Sequence, residues 1–315
     1  MEQMHGQCLS ISVQVIGHLR ISRGDTVLTA SSLGGPKPRQ ILEILLLRLG
    51  TAVSKDQLVE LLWGGKAPGE ALGTLESYVS VLRRHLQPGH AKSGPLRTAN
   101  SGYLLERDLV DLDLDRFDGL LRDAELAAPA AAYPKLTEAL DLAAEPLLGD
   151  ELTPEWAAEA RDRHTARVAQ ARVLAAEAAT MLSNPDDAVR WAEQAIDMEP
   201  LNERAWSALV TGLEQAGRYA EGIRSYDKCR RLLDREMGCT PGPALRAAHA
   251  RLLKATAADD SDLSEVLSAL LLLSDSLRGD RHDSEVPARL RRPGKHVEAA
   301  GQVVDSFLRR ALASA

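Results

Sequence analysis

Apolar and polar side chains alternate along residues 9–15, LSISVQV, with the period of two that marks a half-buried β-strand. GHLRISRGDTVLTA (17–30) continues as two short strands turning at Arg23-Gly24-Asp25. The period then changes. GGPKPRQ (34–40) interrupts the sheet, and RQILEILLLRLG (39–50) is a strongly apolar helix closed by Gly50. SKDQLVELLW (54–63) opens on Ser54, an N-cap residue with Gln57 at capping-box spacing, and GGKAPGEALG (64–73) is a loop. A third helix covers TLESYVSVLRRHL (74–86), and LRTANSGYLL (96–105) reads as a hairpin turning at Asn100-Ser101-Gly102. Sheet, three helices and hairpin in this order predict a winged helix-turn-helix preceded by a small N-terminal sheet.

The acidic stretch DLVDLDLDRF (108–117) marks a boundary. Beyond it, to about residue 255, the chain is helical and rich in Ala and Leu, and a repeat emerges. Ala188-Val189, Ala192 and Ala195 recur as Gly222-Ile223, Tyr226 and Cys229 at an offset of 34, the tetratricopeptide period. Trp206, Leu209, Gly217, Tyr219, Gly222 and Tyr226 add the signs of that repeat, whose hairpins cover each other's apolar faces by stacking. Two further amphipathic segments lie within 259–315. The expected fold is mainly α: a winged helix-turn-helix domain (α+β) over 1–110, an all-α tetratricopeptide-like domain over 111–258, and amphipathic C-terminal helices over 259–315 that cap the repeats or join two protomers.

The third helix carries the candidate chemistry. Leu75, Val79, Leu82 and Leu86 form its apolar seam, and Thr74, Ser77, Ser80, Val81 and Arg84 occupy the other side. A major groove about 12 Å wide admits a helix whose leading side chains are short or reach base edges. Ser and Thr bond base edges, Val touches a thymine methyl, and Arg forks onto guanine. Arg83 on the shoulder suits a phosphate, as do Lys37 and Arg39 at the first helix; Arg97, Asn100 and Ser101 of the hairpin suit a minor groove or phosphates. Each also has an ordinary structural reading, as solvated surface or plain hairpin. Charge changes this picture modestly. Net charge is −7, yet residues 1–110 hold 12 basic and 9 acidic residues, a net +3, while the remainder holds 26 and 36, a net −10.

GGPKPRQILEILLLRLGTAVSKDQLVELLWGGKAPGEALGTLESYVSVLRRHL (34–86) closely resembles the Streptomyces antibiotic regulatory protein (SARP) family. The resemblance rests on Gly-Pro-Lys-x-Arg before the first helix, Leu61-Leu62-Trp63-Gly64, Tyr78-Val79-Ser80-x-Leu82-Arg83-Arg84, and Ser101-Gly102-Tyr103 in the hairpin. Met237-Gly238-Cys239-Thr240-Pro241-Gly242-Pro243-Ala244-Leu245 is similar to the string ending that family's bacterial transcriptional activator domain, with Met in place of Leu. The resemblance implies an OmpR-type winged helix, a helical activator domain, binding to direct repeats near promoters of antibiotic biosynthesis clusters, and recruitment of RNA polymerase holoenzyme. A +3 domain with one reading helix offers limited affinity, so two protomers on tandem half-sites are expected, and the resemblance to direct-repeat binders implies head-to-tail contacts. The family pattern is incomplete, since neither a receiver domain with a phosphoacceptor Asp nor the nucleotide-binding region of the larger members is found.

No enzyme is expected. WGGKAPG (63–69) fails as a phosphate loop because Glu60 stands where its first Gly belongs and Ala67 follows Lys66. No catalytic residue, cofactor or metal site is assigned. Cys8, Cys229 and Cys239, odd in number and without a CxxC pair, suit a reducing cytoplasm, and neither a signal peptide nor a membrane span is expected. The rival reading is a tetratricopeptide adaptor whose N-terminal domain holds a protein rather than DNA. A small-molecule-responsive regulator stays open, with no ligand indicated.

Overall fold

The computed structural model describes residues 10–89, 93–99, 101–151 and 154–256. The expected amphipathic segments of 259–315 lie outside the described residues. The chain divides into two compact units, Met1–Ala208 and Leu209–Ala315.

In the first unit, β1 (Ile11–Gln14), β2 (Arg20–Arg23) and β3 (Thr26–Thr29) form an antiparallel meander. Ile11, Val13 and Ile21 are buried, the inward half of the alternating pattern. A fourth strand, β7 (Val110–Leu112), joins β1 in parallel, giving the order β3-β2-β1-β7. This strand comes from the acidic stretch expected at the domain boundary.

Helix α1 (Pro36–Leu46) begins three residues earlier than its pattern suggests. Pro36 and Pro38 read as breakers, yet the first turn of a helix has no intrahelical use for their missing N–H groups. Residues 41–46 of α1 are all buried, including Glu43, as befits a helix covered on all sides. Helix α2 (Lys55–Trp63) is capped by Ser54, whose Oγ accepts the Gln57 amide at 3.2 Å. Helix α3 (Ala71–Leu86) follows, also starting three residues early, and buries Ala71, Leu75, Val79, Leu82 and Leu86. The wing is a sheet of order β4-β6-β5, built from β4 (Val53–Ser54), β5 (Leu96–Ala99) and β6 (Gly102–Leu105).

Helices α4 (Asp113–Glu125), α5 (Pro129–Leu142), α6 (Glu155–Met181) and α7 (Pro185–Met198) each pack on the next. Alanines dominate the buried positions of α6, which lets both neighbours approach closely. Helix α8 (Glu203–Gln215) spans the division between units. In the second unit α9 (Tyr219–Met237) meets α10 (residues 243–256), where a Cβ on Gly222 would lie 2.7 Å from Leu252 Cδ1. Tyr226 stacks on His249 with ring centroids 3.9 Å apart. Helices α7 and α9 begin at Pro185 and Tyr219, in step with the 34-residue repeat. Among the described residues no helix is long and apolar enough to cross a membrane.

Candidate nucleic-acid interface

Folding gives α3 one exposed stripe. Ser77, Ser80 and Arg84 are exposed, and Gly73 lies on the same line at spacings of four, three and four. The Ser77 hydroxyl donates to the Gly73 carbonyl (3.0 Å) and the Ser80 hydroxyl to the Glu76 carbonyl (2.9 Å). Their protons are thus turned into the helix, leaving oxygen lone pairs toward solvent as acceptors. Among the described residues Arg84 has no hydrogen bond or ion pair. Its five donors are available. Thr74 is half-buried at the edge of the stripe. Val81 is half-buried as well, its Cγ1 only 3.2 Å from where a Cβ on Gly34 would stand, so part of the side chain packs against the turn before α1.

Arg83 holds the wing. Its Nη2 donates to Thr98 Oγ1 (2.7 Å), its Nε to the Leu96 carbonyl (3.3 Å), and its guanidinium lies 5.8 Å from the Tyr103 ring centre. Lys55 lies 5.9 Å from the same ring and bonds Glu76 at 2.5 Å, tying the start of α2 to α3. Tyr103 therefore joins α2, α3 and β6 through two cation–π contacts.

Two cations expected at phosphates are used inside the fold. Lys37 donates to the Leu62 carbonyl at the end of α2 and to Gln40 Oε1 (3.3 Å), with the Trp63 ring centre 5.7 Å away. Cations belong at a helix C-terminus, where carbonyls lack partners. Arg39 donates through Nε to Glu151 Oε1 (2.7 Å), pairs with the same carboxylate through Nη2, and stands 3.9 Å from Glu43. Neither residue is presented as a free cation. Arg97 is exposed and pairs with Glu106 at 3.3 Å. Ser101 is exposed at the hairpin turn with φ 63°, and its carbonyl accepts the Lys55 amide. Asn100 lies outside the described residues.

Sequence reasoning missed Gly73. Its place in GGKAPGEALG made it look like loop, although it stands four residues before Ser77 on one helical face. A Cβ there would meet nothing within 4 Å.

The family model described as transcriptional regulatory protein, C terminal, matches residues 32–105, and that of the bacterial transcriptional activator domain matches residues 112–253. A winged helix followed by stacked helices, matched in this order, defines a transcriptional regulator. Over 247 residues the chain is 30% identical to the regulatory protein DnrI of Streptomyces peucetius, covering 74% of this chain and 89% of the relative. It is 31% identical over 261 residues to the transcriptional regulator RedD of Streptomyces coelicolor, covering 79% and 71%. A longer relative, the regulatory protein AfsR of Streptomyces coelicolor, is 33% identical over 268 residues that make up 81% of this chain and 25% of AfsR. The chain belongs to the Streptomyces antibiotic regulatory protein family. The structure of Mycobacterium tuberculosis EmbR in complex with a low affinity phosphopeptide shares the fold, with a TM-score of 0.67 at 24% identity over 83% of this chain and 71% of EmbR.

Proposed function

We propose that this regulator is a sequence-specific DNA-binding activator of an antibiotic or other secondary-metabolite biosynthesis cluster. It reads promoter direct repeats through α3 and recruits RNA polymerase holoenzyme through its helical domain, with a second protomer on the adjacent repeat. It acts as a regulator, without catalysis. The observation that carries the reading is the exposed stripe Gly73-Ser77-Ser80-Arg84, which is short-chained and ends in an unpaired guanidinium. The neighbouring cations Arg83 and Lys55 hold this arrangement together. The acidic balance beyond residue 110 disfavours DNA there and suits a protein partner.

Affinity for a promoter duplex and for a random duplex, measured across salt concentrations, tests the proposal. Arg84→Ala should lower specific affinity by about 1–3 kcal/mol and shrink the specific-to-random ratio. An unchanged ratio removes Arg84 from base reading. Absence of any footprint on promoter DNA favours the adaptor reading instead.

A further inference from the structure

A cavity of about 290 Å³ lies between the segment following α1 and helices α4 and α6. Its size is near the lower end for small-ligand sites. Four arginines line it, Arg48, Arg107, Arg163 and Arg167, against two lining carboxylates, Asp115 and Asp118. Arg107 pairs with Asp115, and Arg163 pairs at 2.6 Å with Glu159, a carboxylate that is 85% exposed. Arg48 has no side-chain partner among the described residues. The lining thus carries an excess of positive charge and one uncommitted guanidinium.

His164 is a buried part of the cavity wall. The residue is only 6% exposed, lines the cavity, and has no hydrogen-bond partner at either ring nitrogen. Burial holds its pKa below the usual imidazole range, with Arg167 adding to this and Asp118 opposing. The neutral ring presents one N–H donor and one acceptor. Arg167 Nε and Asp118 Oδ1 form an ion pair at 2.7 Å. Both ring nitrogens of His164 and the Arg167–Asp118 pair are sealed from solvent behind the cavity wall, so the lining groups left to meet an occupant are Arg48, Arg107 and Arg163.

We propose that this cavity binds a small metabolite bearing a phosphate or carboxylate group. Guanidinium forks match either oxyanion. The occupant touches the end of the first winged-helix helix and the long helix α6 together, so it is placed to couple metabolite level to the regulator's conformation.

The test uses the full chain without DNA, by calorimetry and thermal denaturation, with glucose 6-phosphate and citrate as charged probes and glucose as the uncharged control. Saturable binding of a charged probe at one per chain, with glucose inert, is the expected result; the two probes separate phosphate from carboxylate preference. Arg48→Gln, at a half-exposed position, should weaken that binding about tenfold or more while the unliganded protein melts as before. Arg84→Ala should leave it unchanged. No saturable binding by either probe overturns the proposal. So does binding lost in Arg84→Ala and kept in Arg48→Gln, because the anion then sits on α3. DNA binding is independent of these outcomes.

Discussion

A glycine inside a helix lowers its stability by about 0.5–1 kcal/mol relative to alanine. Gly73 stands in the first turn of α3, where that amount is an upper bound, with open space where a Cβ would stand. Gly73→Ala should therefore stabilise the protein by at most that amount, read as a higher melting temperature, while weakening promoter binding if the helix backbone approaches DNA there. Unchanged affinity in the stabilised variant would remove Gly73 from the interface. Glu43 makes the opposite kind of prediction. Burial, then the charge of Glu151, push its carboxyl up from 4.5 to about 8, with Arg39 pulling down. The folded protein holds this proton more tightly than the unfolded chain. Its contribution is full below about 4.5 and is lost as pH rises toward about 8, on the order of a few kcal/mol across the window. Glu43→Gln should flatten the fall in thermal stability between those pH values; an equally steep fall means that the carboxyl already titrates normally. Ser54 and Gln57 were legible as a cap because both partners lie within one turn. Glu43 was not, because the Glu151 charge that helps raise its pKa comes from more than a hundred positions along the chain.

At the scale of elements, the wing is fixed by one close approach. A Cβ on Gly102 would stand 2.1 Å from the Val53 carbonyl oxygen and 2.9 Å from Ser54 Cα, both backbone atoms of β4. Gly102→Ala should separate β6 from β4 and cost on the order of 2 kcal/mol or more, measured by denaturation, with DNA affinity falling as Tyr103 loses its place between Lys55 and Arg83. A melting curve identical to that of the parent chain would contradict this account. The periods of two and 3.6 made β1, β2, α1, α2 and α3 readable, since each rests on side chains close in sequence. Their starts were less readable. Pro36 and Gly73 are loop formers by local preference, and only the helices' first turns, where backbone N–H groups go unused and the side faces solvent, tolerate them. Strand β7 escaped notice altogether: three residues in an acidic run pair with β1 about a hundred positions earlier.

Across the first unit, that same strand changes how the molecule should come apart. The stretch 108–117 reads as a domain boundary, yet Val110 and Leu112 are buried and β7 pairs along β1. Asp113 is buried behind it, accepting backbone N–H groups from Val15 (3.0 Å), Ile16 (3.0 Å) and Leu114 (2.8 Å). Burial raises its pKa in spite of these bonds. Farther along, the Leu148 amide reaches the Val15 carbonyl at 2.8 Å, Gly149 reaches Gly17 at 2.8 Å, and Glu151 takes Arg39. Winged helix and following helices thus share one hydrogen-bonded edge, and they should unfold in one step. Amide exchange at residues 110–112 should be as slow as in β1, and a chain ending at residue 110 should melt well below the full chain. Asp113→Ala, which strands the Val15 and Ile16 amides, should cost about 2–4 kcal/mol and shift the single transition rather than split it. Two separate transitions in the variant, with the lower one confined to residues beyond 113, would show that the edge joins the parts without making them cooperative.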